Sequence, residues 1–335
     1  MGMRMVTVGP PWGLEALAFT DQDVPDPKPG EVLVRIQASS LNYHDYLLLS
    51  GRVRSADRFI PLADGAGEVV SVGADVSRFA VGDRVLSTFF PGWHDGPVGA
   101  DKKGRIPGTH GHGFAVEYVA CPEAAFTRQP EGFTMTEAAT LPCAGLTAWN
   151  ALNVCARITP GDWVLTQGTG AVSIFALQFA KAGGARVIAT SSSDGKLERL
   201  KALGADYVIN YKTEPKWGAF AKEITNGRGV DIVVDVGGGP VRESIAACRI
   251  GGSISVVGHL AGGAGEFPTV EIVLKSISIS GVSVGSHASQ RAMISAIEAN
   301  KIKPVVDSTF PLDRIKEAFA YQESQRHFGK IAIEI

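Results

Sequence analysis

A glycine-rich turn between two patterned segments constrains this chain most. Residues 162–166 form a short apolar strand pattern, and apolar residues recur at helical spacing from Val172 to Ala182. The turn between them reads Gly168-Thr169-Gly170-Ala171-Val172-Ser173, which is G-x-G-x-x-S and one glycine short of the dinucleotide-binding fingerprint. The first glycine permits the tight turn, and the second lets the backbone approach a pyrophosphate at the helix N-terminus. The alternative is a tight turn that binds nothing.

Strands and helices alternate on both sides of this turn. A helix pattern covers residues 196–203, and short apolar strand patterns occupy residues 185–190, 207–210, 230–236 and 253–257. Strand, helix and strand at this spacing predict an α/β domain with a doubly wound parallel sheet.

The first third of the chain instead has short strand patterns broken by glycine. They cover residues 31–36, 65–73, 81–86 and 115–119, and this spacing predicts a small β-barrel. Between the last two lies a 23-residue segment, residues 91–113, with seven glycines and three histidines but no periodicity. An irregular segment of this length is typically functional or mobile. Its histidines are expected to be solvated or to face a substrate.

Length, charge and cysteine content exclude several classes of protein. The 335 residues suggest two domains. The net charge of −2 leaves no basic footprint for nucleic acid, and no apolar run is long enough to span a membrane. The four cysteines are scattered, and the first residues lack the apolar core of a signal peptide. These observations favour a reduced, cytoplasmic protein with a small-molecule substrate.

The residues after the next strand bear on cofactor choice. An NAD site would place Asp or Glu here to bind the ribose 2′-hydroxyl, but this stretch holds Ser191 and Ser192, followed by Asp194 and Lys196. Hydroxyls and an ammonium would accept a 2′-phosphate, so we expect NADPH. Alternatively, Asp194 faces the ribose and the serines cap the helix.

The chain closely resembles the medium-chain dehydrogenase/reductase superfamily, specifically its zinc-free quinone oxidoreductase branch. The resemblance covers the whole length and rests on residues 82–85, 141–149 and 167–173, extended by 203–206, 209–211 and 327–330. It implies a GroES-like β-barrel catalytic domain split over residues 1–128 and 286–335, and a Rossmann dinucleotide-binding domain over residues 129–285. It also implies an active site in the cleft between the two domains.

The positions that hold catalytic zinc in other branches of the superfamily differ here. The resemblance places Asn42 at the position of the first Cys ligand and Ala63 at that of the His, and only Cys143 matches the third ligand. Catalytic zinc needs three protein ligands, so we expect no metal. The alternative is a substitute metal site formed by His110, His112 and Cys143.

Without zinc, the expected chemistry is hydride transfer from NADPH to a quinone or an α,β-unsaturated carbonyl, because the delocalised anion that results needs only hydrogen-bond donors. Two other functions stay open. One is an alcohol dehydrogenase or ketone reductase of the same superfamily, and the other is an NADPH-binding structural or sensor protein with little turnover.

The resemblance further implies individual site residues. Asn42 and Thr147 would lie near the nicotinamide, and Tyr43 is the candidate donor to the substrate oxygen, with a packed cleft aromatic as its alternative. Asp45 would organise neighbouring polar groups. The remaining implied cofactor contacts, beyond those in the glycine turn and the serine segment, are Tyr211, Val257, Gly258, His259, Val284 and Lys330.

One strand pattern suggests an oligomer. Residues 276–284 alternate cleanly between polar and apolar side chains. In the superfamily such a strand lies at a sheet edge that pairs across a dimer, and an unpaired edge is an aggregation risk. We therefore expect a homodimer through strand 277–284, the alternative being an edge covered by its own domain.

Overall fold

The computed structural model describes residues 2–53, 58–238, 241–258, 260, 262 and 265–335. The chain divides into two compact units. Unit 1 comprises Met1–Leu146 and Gly285–Ile335, and unit 2 comprises Thr147–Val284. The second boundary lies within one residue of the expected one, but the first comes 18 residues later than residue 128. Residues 129–146 belong to unit 1 because a helix in this segment packs on the strands of the barrel.

The strands of both units are, in chain order, β1 Gly2–Thr7, β2 Ala18–Asp23, β3 Glu31–Ser40, β4 Asp64–Val72, β5 Arg84–Ser87, β6 Tyr118–Pro122, β7 Phe126–Arg128, β8 Trp163–Gln167, β9 Arg186–Ser191, β10 Tyr207–Asn210, β11 Val230–Asp235, β12 Cys248–Val256, β13 Ser278–Gly281, β14 Val306–Pro311 and β15 Lys330–Glu334.

The α-helices are α1 Tyr43–Leu49, α2 Met135–Ala138, α3 Leu146–Trp149, α4 Ala171–Ala182, α5 Asp194–Ala202, α6 Trp217–Ile224, α7 Arg242–Ala247, α8 Thr269–Lys275, α9 His287–Asn300 and α10 Ile315–Glu323. π-Helical turns occupy Leu141–Gly145 and Asn150–Cys155.

Unit 1 is built on a mostly antiparallel sheet in the order β14-β15-β3-β4-β5-β7, with β6 also paired to β3. β1 and β2 form a separate antiparallel pair. The core of this unit contains Val34, Phe114, Phe126 and Phe319, all 1% exposed or less. Helix α2 begins at the capping box of Thr134 and Glu137.

Unit 2 contains a six-stranded parallel sheet in the order β10-β9-β8-β11-β12-β13. Numbered within the unit, this order is 3-2-1-4-5-6, the arrangement of a dinucleotide-binding Rossmann domain. The predicted α/β fold class is therefore confirmed. The order reverses between β8 and β11, and ligands of such sheets bind where it reverses.

The described residues contain no helix with the length and apolarity needed to cross a membrane.

Candidate functional site

The glycine-rich turn leaves the end of β8 and enters α4. Gly168 has φ +73°, a conformation that favours glycine, and Gly170 directly precedes the helix. A Cβ atom added at either glycine would meet no atom within 4 Å. Ser173 is buried, and its Oγ donates to the carbonyl of Gln167 at 2.6 Å, which holds the helix against the strand. Open space beside bare backbone at a helix N-terminus fits a dinucleotide pyrophosphate.

A hydrogen-bonded chain, missed by the sequence analysis, links the ends of β8 and β11. Gln167 Nε2 donates to Ser244 Oγ at 2.8 Å, and Ser244 donates to Asp235 Oδ2 at 2.6 Å. The other oxygen of Asp235 accepts the N–H groups of Gly237 and Gly238, each at 3.0 Å. Asp235 therefore fixes the turn after β11. Its position as the last residue of an apolar strand before a glycine run was the available signal.

The serine segment follows β9. Ser191 is buried and its carbonyl accepts the backbone N–H of Tyr211 at 3.1 Å, while Tyr211 as a whole residue is 40% exposed. Asp194 Oδ1 accepts from Asn210 Nδ2 at 2.6 Å, so this carboxylate is engaged with the neighbouring strand end. Ser192 and Lys196 are partly exposed. The end of β9 thus presents hydroxyl and ammonium groups beside a carboxylate that has a protein partner.

The remaining cofactor candidates of unit 2 lie after β12 and β13. The Val257 N–H donates to the Asp235 carbonyl at 2.8 Å, and a Cβ added at Gly258 would lie 2.8 Å from the Val236 carbonyl oxygen. Val284 is buried with φ +44°, an unfavourable conformation for a β-branched residue and a type of strain that clusters at functional sites. His259 lies outside the described residues.

Lys330 lies at the start of β15. Its ammonium is buried in unit 1, with four oxygens within hydrogen-bond distance: Asn42 Oδ1 and Ser40 Oγ at 2.7 Å, the Leu41 carbonyl at 3.0 Å and Asp64 Oδ2 at 3.2 Å. An ammonium has three hydrogens, so these oxygens saturate it. The structure gives Lys330 a buried ion pair with Asp64, and its charge contact with the cofactor stays a prediction.

The same cluster surrounds the start of α1. Asp45 accepts the N–H groups of Asn42 at 2.8 Å and Ala63 at 2.9 Å, which confirms its expected organising role. Burial, and then the charge of Asp64, raise the pKa of Asp45 to about 7. Burial also raises the pKa of the Cys143 thiol well above its ordinary value.

The other two proposed catalytic residues belong to different units. Tyr43 is the first residue of α1 in unit 1, is partly buried, and stacks on Tyr46 with ring centroids 6.1 Å apart. Thr147 is buried in α3 and is the first residue of unit 2. Asn42, the third proposed catalytic residue, lies in unit 1 and accepts a hydrogen bond from Lys330, one of the predicted cofactor contacts.

The irregular segment 91–113 is anchored to α9 within unit 1. The N–H groups of His287 and Ala288 donate to the carbonyls of Trp93 and His94, at 2.9 and 3.1 Å. The His287 Nε2 donates to the Phe90 carbonyl at 3.1 Å, and the His94 and His287 rings meet edge to face. Segment carbonyls thus satisfy N–H groups in the first turn of α9.

No group of three or more His, Cys, Asp and Glu side chains suited to a metal ion occurs in the described part of the chain.

Comparison with known proteins decides the family. Residues 28–131 match the alcohol dehydrogenase GroES-like domain, and residues 171–299 match the zinc-binding dehydrogenase family. A zinc-type alcohol dehydrogenase-like protein of Schizosaccharomyces pombe is 41% identical, with 100% of each chain covered. The chain belongs to the medium-chain dehydrogenase/reductase superfamily. A chloroplastic quinone oxidoreductase of Triphysaria versicolor is 30% identical, with 96% of each chain covered. The solved structure of an NAD-dependent alcohol dehydrogenase is 35% identical with a TM-score of 0.89, covering 99% of each chain.

These findings identify an oxidoreductase whose fold binds a nicotinamide cofactor. The relatives' names divide between alcohol dehydrogenase and quinone oxidoreductase, so they leave the substrate open. Any proposal about the substrate must therefore rest on the geometry of the site.

Proposed function

We propose that this protein is an NADPH-dependent reductase of quinones or α,β-unsaturated carbonyls that works without catalytic zinc. The observation that carries the proposal is the residue set at the superfamily's zinc positions. Ala63 has no ligand atom in its side chain, and the Asn42 amide is hydrogen-bonded to Lys330 and Asp64. A single remaining thiol, Cys143, falls short of the three protein ligands of a catalytic zinc site.

The glycine turn and the segment after β9 would hold the cofactor. Gly168 and Gly170 offer open backbone to the pyrophosphate, while Ser191, Ser192 and Lys196 would take the 2′-phosphate. Asp194 accepts a hydrogen bond from Asn210, which holds its carboxylate at the neighbouring strand end. The nicotinamide supplies the hydride when the cofactor is bound.

The protein's own residues would then orient the substrate and stabilise the negative charge that develops on it. Hydride addition to a quinone or enone moves an electron pair onto the carbonyl oxygen, and the charge is delocalised. Hydrogen-bond donors can stabilise such an anion, whereas an isolated alkoxide gains more from a Lewis acid. Asn42, Tyr43 and Thr147 carry the N–H and O–H groups that the proposal assigns near the reacting atoms.

A substrate panel tests the proposal. Purified protein is offered a quinone, an enone and a saturated ketone, with NADPH or NADH, and the oxidation of cofactor is followed. We expect turnover of the quinone or enone with NADPH, and little turnover of the saturated ketone. Cofactor binding without turnover of any substrate would favour a binding or sensor role instead.

Alcohol dehydrogenase activity is the second candidate, favoured by the Schizosaccharomyces pombe relative and its name. It predicts oxidation of a simple alcohol, and activity that depends on stoichiometric zinc. Metal analysis of the purified protein, combined with alcohol oxidation before and after chelation, separates the two proposals.

We also propose a homodimer through the β13 edge. β13 ends the parallel sheet, and the adjacent helix α8 leaves Val270, Val273 and Leu274 about 70% exposed. Apolar side chains beside a terminal strand are typical of an interface, and a second copy could extend the sheet and cover them.

A further inference from the structure

The buried ammonium of Lys330 contacts a proposed catalytic side chain, with Nζ 2.7 Å from Asn42 Oδ1. Lys330 is 2% exposed and Asp64 is fully buried, so neither charge is solvated. Burial of one such charge alone is costly, and it is tolerated here because each neutralises the other and Lys330 has neutral oxygens as additional acceptors.

This ion pair fixes the orientation of the Asn42 amide. Lys330 Nζ donates to Asn42 Oδ1 at 2.7 Å, and Asn42 Nδ2 donates to Asp64 Oδ2 at 2.9 Å. An ammonium can only donate and a carboxylate can only accept, so exchanging the amide oxygen and nitrogen would turn both contacts repulsive. The backbone N–H of Asn42 is also fixed, by Asp45 at 2.8 Å.

The contact also changes the amide electronically. A cation bonded to the carbonyl oxygen draws electron density from the amide and strengthens its N–H groups as donors. Asp64 takes one of the two Nδ2 hydrogens. Among contacts between described residues, no second acceptor is found for Nδ2, and one polarised N–H is left over.

We propose that Lys330 is a positioning residue that orients and polarises Asn42, whose second Nδ2–H then donates to the substrate oxygen on which negative charge develops. This inference rests on the proposed function. Bound NADPH would supply the hydride: the C4–H bond of its dihydronicotinamide would break, leaving NADP+, and a C–H bond would form at the β-carbon of the enone. The C=C pair would shift so that the carbonyl π pair moves onto oxygen. Asn42 holds that oxygen without transferring a proton, and the proton that completes the product comes from water.

The expected signature is an effect that differs between substrates. The oxygen of an enolate is more basic than that of a hydroquinone anion and so depends more on its donor. Removing an oxyanion donor costs roughly 100-fold in kcat. Substitutions that disable Asn42 should therefore lower kcat for an enone by roughly that factor and for a quinone much less, with KM and the NADPH dissociation constant little changed.

The test compares Asn42→Leu with Lys330→Met, and with the double variant Asp64→Asn/Lys330→Met, which removes the ion pair without leaving one charge buried alone. Gln290→Met is the matched control. Gln290 is a fully buried amide of the same unit, bonded to the Ser87 carbonyl at 2.9 Å and to Thr127 Oγ1 at 2.8 Å. The control should lose stability without changing the ratio of enone to quinone kcat.

A second measurement needs no substrate or cofactor. Urea unfolding midpoints are taken for Lys330→Met, Asn42→Leu and their combination, and for Gln290→Met combined with Asn42→Leu. Midpoint shifts should be strongly non-additive for the first pair, whose side chains are in direct contact, and closer to additive for the second pair, whose side chains share no hydrogen bond. Additive shifts for both pairs would overturn the coupling of Lys330 to Asn42.

The outcomes separate this inference from the proposed function. If the unaltered protein reduces neither a quinone nor an enone, the proposed function fails and the inference fails with it. If it reduces both, yet the variants lose activity equally on the two substrates or behave like Gln290→Met, only the inference is overturned.

Discussion

Lys330 Nζ lies 3.2 Å from Asp64 Oδ2, and both side chains are buried although 266 residues separate them in the chain. The contact joins the start of β15 to the start of β4. Asn42 bridges the pair, with its amide oxygen on the cation and its amide nitrogen on the carboxylate. A charged network therefore occupies the part of unit 1 in which the resemblance places Asn42 and Ala63 at two zinc-ligand positions of other branches of the superfamily.

Replacing Gly168 with alanine tests the pyrophosphate site. Gly168 has φ +73°, and a Cβ there would enter open space. We expect the dissociation constant for NADPH to rise about tenfold or more, which corresponds to about 1.4 kcal/mol. Fluorescence titration measures it. Gly161→Ala is the control, since Gly161 has φ +91° and equally open surroundings but precedes β8. Equal weakening by both substitutions would contradict the site.

Charge reversal at Lys196 tests the preference for NADPH. Lys196→Glu adds a carboxylate where the 2′-phosphate is proposed to bind, so affinity for NADPH should fall roughly tenfold or more relative to affinity for NADH. Lys201→Glu makes the same charge change later on α5, where Lys201 pairs with Glu198 on the surface. It should leave the ratio of the two affinities almost unchanged. A wild-type protein that binds NADH more tightly would refute the assignment directly.

The glycine turn and the surroundings of Lys330 differ in how much of each could be predicted from the sequence. Residues 168–173 carry a local signal, because strand, turn and helix are contiguous and the glycines are needed where they stand. The parallel sheet and most of its strands follow from the same kind of local periodicity. Strand β10 was predicted with its observed limits, Tyr207–Asn210.

Lys330 shows why the rest could not be predicted. Its partners lie near residues 40–64, and nothing local to a lysine that begins a final apolar strand says that its ammonium is buried there. The burial of Asp64 could not be predicted either, because a single carboxylate beside glycines is typical of a surface turn and nothing local indicates its partner. Short elements such as α1 and β7 also lack enough length for periodicity to show.

The raised pKa of Asp45 predicts a pH dependence of stability. Its folded pKa, about 7, exceeds its ordinary value of 3.8, so the folded state binds the proton more tightly. Its stabilising contribution is fully present below about pH 4 and is lost as pH rises through 7. Between about pH 5 and pH 8 we expect a loss of roughly 3 kcal/mol from this group.

Urea unfolding of the wild type and Asp45→Asn, monitored by tryptophan fluorescence across that range, isolates this contribution. The burial that lowers the pKa of His287 to about 4 acts in the opposite direction, adding stability as pH rises from 4 to 6.5, and is common to both proteins. The difference between them should therefore shift in favour of the variant as pH rises. Parallel pH profiles would rule out a raised pKa for Asp45.

The proposed dimer predicts sensitivity to charge on α8. Leu274 is 74% exposed and would be buried by a second copy, so Leu274→Glu would place a carboxylate in the interface. We expect the mass measured by light scattering to fall from dimer to monomer. Val81→Glu, at a 63% exposed valine of unit 1, should leave the mass unchanged. A wild-type protein that is monomeric at all concentrations would remove the basis for the interface.

Deuterium transfer distinguishes zinc-independent reduction of an enone C=C bond from zinc-dependent reduction of a carbonyl group. Zinc-depleted protein is incubated with NADPH that carries deuterium at C4 and with an enone, and the product is examined by NMR. We expect one deuterium at the β-carbon of a saturated ketone, at a rate that added zinc does not change. Deuterium on the carbonyl carbon of an alcohol, formed only after zinc is restored, would contradict it.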